Sequence, residues 1–99
     1  MKINKVQENG KLNLYLEGWL DATTAPQLQS ALLQSFDEAA SVCLDFAKLD
    51  YVSSAGIRVL LVGHRESKAR KKALVLSNIS ADVMKLLDMT RLSDKLTIV

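Results

Sequence analysis

The 99-residue chain has one cysteine, one histidine, one proline and one tryptophan, and aromatic residues make up only 5% of it. A lone Cys43 excludes a disulfide framework within the chain. Its place in an apolar run fits a thiol kept in a reducing compartment. Cys43 and His64 together are too few soft or imidazole ligands for a zinc site. No apolar stretch approaches the ~20 residues of a membrane-crossing helix, and the N-terminal "MKINKVQENGKL" lacks the apolar centre of a signal peptide. The expectation is a cytoplasmic domain with no membrane span. A formal charge of +2 is too small to argue for direct nucleic-acid binding. Repeats, linkers and low-complexity tracts are lacking too. What is present is ordinary globular material, 48% hydrophobic and 24% charged, enough for one domain over residues 1–99 with a single core.

Periodicity orders the elements. "KINKV" reads as a short strand closed by the turn signal Glu8-Asn9-Gly10. "LNLYLEG" alternates, with Leu12, Leu14 and Leu16 on one face and Asn13, Tyr15 and Glu17 on the other, as a half-buried hairpin partner. "GWLDATTAP" reads as a loop in which Thr23 and Thr24 are loop or cap residues, and Pro26 suits the first turn of a helix reaching about Ala39. "SVCLDF" is a third strand, with apolar atoms on both faces as a central position requires. The stretch "LDYVSSAGIRVLLV" reads as a loop followed by a helix from about Ala55 to Lys71, with Ile57, Leu60, Leu61 and His64 on its apolar stripe. "ALVLSN" is a fourth strand. Ser80 caps a third helix carrying Val83, Leu86 and Leu87 inward, and "KLTIV" closes the chain as a short strand. By their helical spacing Met84, Leu87 and Met89 are read as core. The fold class is α/β, a mixed sheet of four to five strands packed with helices: an N-terminal hairpin, then strand–helix alternation with parallel strands. Functional loops then gather beyond the carboxyl ends of the strands, where "GWLD" and "DYVSSAG" lie.

The paired hydroxyls of Ser53 and Ser54 are the chemical question. A hydrolase elbow needs glycine two residues before the nucleophile as well as two after; Gly56 fits Ser54, but Val52 stands in the earlier place. His64 lies ten residues along the same helix, ~15 Å away at 1.5 Å per residue, too far to act as base. A serine hydrolase is therefore the weakest reading, and no enzyme is expected. No glycine-rich phosphate loop is present. The basic run "HRESKARKK" reads as the solvated end of a helix, complementing its negative dipole end. Ser53 or Ser54 can cap the helix by accepting a bond from an orphaned N–H. A hydroxyl at a helix N-terminus is also a good phosphate seat, where unpaired N–H groups and a partial charge of roughly half a unit stabilise an added anion. Trp19, if exposed, is an interface anchor, and Arg58 one turn beyond the serines is a partner contact.

These segments resemble the STAS domain, the anti-sigma-factor antagonist fold. "GWLDATTAPQLQSAL" is similar to its first half and "DFAKLDYVSSAGIRVLLVGHRESKARKKALVLSNISADVMKLLDMTRLSDKL" to its second. The resemblance implies a binding module without cofactor. Its partners would be an anti-sigma factor with serine kinase activity, bound by the unphosphorylated domain and released on phosphorylation, and a phosphoserine phosphatase that resets the switch. The acceptor implied is the serine followed by one small residue and a glycine, here Ser54 before Ala55 and Gly56. Asp21 matches the family's loop aspartate near the acceptor. Many antagonists carry aspartate immediately before the acceptor; this chain has Ser53, a second candidate hydroxyl. The resemblance also admits an alternative, an accessory subunit regulating a membrane lipid- or solute-transport ATPase by contact alone.

Overall fold

The computed structural model describes all residues, 1–99. Strand β1 (Lys2–Glu8) turns into β2 (Lys11–Leu20) through Asn9 and Gly10. Both turn residues have positive φ, 50° and 78°, the mirror-image turn whose twist matches a hairpin. Helix α1 (Ala25–Glu38), β3 (Ser41–Val52), α2 (Ser54–Ala69), β4 (Ala73–Ser77) and α3 (Ala81–Met89) follow, then a single 3-10 turn (Leu92–Asp94) and β5 (Thr97–Ile98). The five strands lie in sequence order, β1 antiparallel to β2 and every later pair parallel. The expected mixed sheet is therefore present, with β3 at its centre.

The core lies between the sheet and the paired helices α1 and α2. Leu12, Leu14, Leu16 and Leu20 of β2 and Val42, Leu44 and Val52 of β3 meet Leu28, Leu32 and Phe36 of α1 and Ile57, Val59 and Leu60 of α2. Burying a leucine fully contributes on the order of 1.5–3 kcal/mol, and this cluster is the main source of stability. Cys43 points to the opposite sheet face, buried against Ser77 at 3.5 Å.

Four sequence expectations are corrected. The stretch Leu49–Val52 is strand, not loop: β3 runs twelve residues, and only Ser53 separates it from α2. Its alternation fails because β3 carries an extra residue at two places opposite β2, where the pairing moves from Tyr15↔Asp45 to Glu17↔Lys48 and from Gly18↔Leu49 to Trp19↔Tyr51. Such bulges rotate the chain and break the two-residue period. Likewise Gly18, Trp19 and Leu20 belong to β2, leaving only residues 21–24 as loop. On α2 the buried stripe is Gly56, Ile57, Val59, Leu60, Gly63 and Ser67, while Leu61 and His64 are half-buried at its edge. The stripe passes through two glycines because neighbours lie where side chains would stand. A Cβ on Gly63 would run into Leu32 Cδ2 of α1, and one on Gly56 would lie 2.7 Å from Leu20 Cγ and 3.0 Å from Val52 Cγ1. Met89 is 76% exposed, two residues and so about 200° around the helix from buried Leu87; it is not core.

Candidate functional site

The parallel pairing of β2 and β3 brings two sequence-distant segments to one place. Leu20 pairs with Val52, and the Ser53 N–H donates to the Leu20 carbonyl at 2.9 Å, so both chains leave the sheet side by side. The β2 chain enters a loop organised by Asp21. One carboxylate oxygen, Oδ1, accepts from the Thr23 N–H (2.9 Å), the Thr23 hydroxyl (2.7 Å) and the Thr24 N–H (3.2 Å). The Asp21 carbonyl accepts the Thr24 and Ala25 N–H groups, and the Thr24 hydroxyl donates to the Trp19 carbonyl at 2.8 Å. Asp21 is thus the knot of the loop as it enters α1. The Thr23 hydroxyl, then the Thr24 N–H, hold its carboxyl below the ordinary value, since both bonds favour the charged form.

The β3 chain turns at once into α2, and its two serines separate. Ser53 is the N-cap residue, half-buried, but its side chain makes no capping bond. Its Oγ is buried with no partner, so the expected serine cap is not formed by Ser53. Ser54, the first helical residue, is exposed. The first bond within α2 is from the Ile57 N–H to the Ser53 carbonyl, so the N–H groups of Ser54, Ala55 and Gly56 have no partner in the fold. At the start of α3, by contrast, the Ser80 hydroxyl accepts the Val83 N–H at 3.2 Å, as expected.

Two clefts flank the start of α2. One, of about 400 Å³, lies toward α3 and is lined by Asp50, Tyr51, Ser53, Ser54, Ser80 and Asp82 with Val52, Val83 and Leu86. It contains no histidine or lysine. The other, of about 520 Å³, runs between α1 and α2 past Ala22, Pro26, Ala55, Val59 and Val62, and exposed Arg58 is its one charged residue. Trp19 is 62% exposed and Tyr51 54% exposed, and the pairing sets them directly opposite one another. The aromatic neighbour Tyr51 and the carboxylates Asp50 and Asp82 escape sequence reasoning. Tyr51 sits beyond the second bulge, where the alternation that would place it is broken, and Asp82 meets Asp50 and the serines only because α3 lies beside the start of α2. His64 is far down α2, remote from both serines. No group of three or more His, Cys, Asp or Glu side chains is placed to hold a metal ion, and no helix is long and apolar enough to cross a membrane.

The family model of the STAS domain matches residues 2–99. The chain belongs to the STAS-domain family. BtrV of Bordetella bronchiseptica, assigned as an anti-sigma factor antagonist, is 31% identical over 91 residues, covering 91% of this chain and 78% of that protein. The anti-sigma-B factor antagonist of Listeria monocytogenes is 28% identical, covering 91% of this chain and 80% of that protein. Among solved structures, the Bacillus cell fate determinant SpoIIAA in its phosphorylated form has a TM-score of 0.76 at 18% identity, covering 99% of this chain and 91% of that one. At that identity the likeness speaks to the STAS fold alone.

Proposed function

We propose that this STAS protein is a phosphorylation-switched anti-sigma-factor antagonist with Ser54 as the acceptor. Unphosphorylated, it binds an anti-sigma factor that is also a serine kinase; phosphorylated, it releases that partner, and a phosphatase restores it. The observation that carries the reading is the division between the two serines: Ser54 presents an exposed hydroxyl beside three unpartnered N–H groups, while the Ser53 Oγ is buried. A phosphoserine adds about −1.5 to −2 charges, and the free N–H groups and the positive end of the α2 dipole stabilise it. Asp50 and Asp82 in the adjoining cleft repel the same charge, so phosphate turns an acidic cleft strongly anionic and drives off a partner fitted to the unmodified surface. The partner surface comprises Trp19, the loop held by Asp21, half-buried Ser53 and Ala55, and Arg58 around the acceptor, while Gly56, read from the sequence as a contact, is buried beneath it against Leu20 and Val52. Asp50 and Asp82 line the cleft beside the serines, whereas many antagonists carry an aspartate immediately before the acceptor, the position of Ser53 here. The protein acts by binding, in the cytoplasm, and catalyses no reaction itself.

Incubation with the cognate anti-sigma kinase and Mg-ATP should add one phosphate, lost in Ser54→Ala and kept in Ser53→Ala. Labelling that survives Ser54→Ala would overturn the assignment. Ser54→Asp should weaken partner binding; equal affinity would remove the charge switch from the mechanism.

A further inference from the structure

The far end of α2 carries a feature that partner binding at Ser54 leaves unused. Where α2 ends and β4 and β5 begin, a cavity of about 180 Å³ is lined by His64, Ser67, Lys68, Lys72 and Lys95, with Thr97 at its edge. Its ionisable lining is wholly basic. Yet the ion pairs of the chain are Lys5 with Glu38, and Arg70 with Asp37 and Glu66; none of the three cavity lysines has a carboxylate partner. The lysines come from three places, the last turns of α2, the turn into β4 and the segment before β5, so the fold and not one helix face gathers them. Dipole complementation at the α2 terminus accounts for Lys68 but not for Lys95, which arrives from the other side of the cavity.

We propose that this cavity is a binding site for a small oxyanion of the phosphate type. Its volume lies below the roughly 300–1,000 Å³ of pockets that enclose organic ligands, and three ammonium groups supply the charge-assisted donors such an anion needs, with the His64 imidazole beside them. Thr97 adds a hydroxyl that makes no bond elsewhere, whereas the Ser67 hydroxyl already donates to the His64 carbonyl at 2.7 Å. The charges facing His64 are Lys68 on its own helix, Lys72 from the turn and Lys95 from the opposite segment. Burial, then Lys68 and Lys95, hold its pKa below the ordinary value; an anion seated among them reverses the second cause. The site stands ~21 Å from Ser54 along α2, fourteen residues at 1.5 Å each, and does not depend on Ser54 being a phosphosite.

The test is a titration of the intact protein with inorganic phosphate at constant ionic strength, following the His64 ring protons by NMR. Saturable shifts with an upward move of the His64 pKa are expected, weakened about tenfold by Lys68→Ala or Lys95→Ala and unchanged by Lys5→Ala. Because all of these lysines are exposed or half-exposed, the variants should fold, which circular dichroism checks. A response matched by chloride, or unaltered in the Lys68→Ala/Lys95→Ala double variant, would overturn the site.

Discussion

The two ends of α2 treat their backbone differently. At the C-terminal end the groups are satisfied: the Arg70 N–H reaches the Glu66 carbonyl at 2.9 Å, the Lys72 N–H the Ser67 carbonyl at 2.7 Å, and the Arg70 side chain ties Asp37 and Glu66. At the N-terminal end three N–H groups are free and the Ser53 hydroxyl is buried without a partner. A buried polar group left unpaired costs about 1–3 kcal/mol, and two other buried serines avoid that cost, Ser35 by donating to Ala31 O at 2.6 Å and Ser67 to His64 O. The contrast teaches that the backbone of α2 is tied down at its C-terminal end and leaves donors open at its N-terminal end, beside the exposed Ser54.

The sharpest way to break this comparison is to remove the exposed hydroxyl. Ser54→Ala should abolish phosphate incorporation by the cognate kinase, read by intact-mass spectrometry, while leaving the melting temperature almost unchanged. Next comes the packing that holds the start of α2 against the sheet. Gly56→Ala places a Cβ against Leu20 and Val52, two buried side chains, and should cost about 1–3 kcal/mol by overpacking, measured by urea unfolding. Stability equal to wild type would mean that α2 can lift from Leu20 freely. A smaller pair of opposite effects tests the orphaned hydroxyl directly. Ser53→Ala should raise stability by about 1 kcal/mol, because it removes an unpaired buried group. Ser80→Ala should lower it by about 1 kcal/mol, because that hydroxyl caps α3. Both changes going the same way would erase the distinction between the two helix starts.

The smallest effects are in pH. His64 has its folded pKa lowered from an ordinary value near ~6.5, so the unfolded chain binds its proton more readily. Stability should therefore decline as pH falls through that value, and level off below the folded pKa. Adding phosphate should shrink that decline. Asp21 has a lowered folded pKa of the other charge type: its contribution is present above the ordinary carboxyl range of ~3.9 and is lost as pH falls through the folded value. Thermal melts of wild type against Asp21→Asn at acidic pH should show that loss in wild type only.

The strands and helices were legible where period and burial agree. Leu12, Leu14 and Leu16 alternate because β2 has one wet face, and Ser80 announces α3 because an N-cap is a local device. Reading failed where a neighbour sets the geometry. The bulges in β3 depend on its pairing with β2, and they turned a strand into an apparent loop around Tyr51. The α2 stripe was misplaced by one edge because Gly56, Gly63 and Ser67 are buried by the close approach of α1 and the sheet, not by their own hydrophobicity.

The amino-acid order by itself determined the α/β class, the hairpin followed by strand–helix alternation, and the Ser-Ser-Ala-Gly start of a helix beyond a strand, because each rests on contacts within a few residues. Tertiary structure alone decided which serine is available. Ser53 and Ser54 are chemically identical neighbours, yet where the Ser53 N–H bonds to Leu20 and Gly56 packs against that same leucine, the Ser53 hydroxyl is buried and Ser54 is exposed. That burial depends on a residue more than thirty positions away, so the local motif points to Ser54 without showing that the Ser53 hydroxyl is buried.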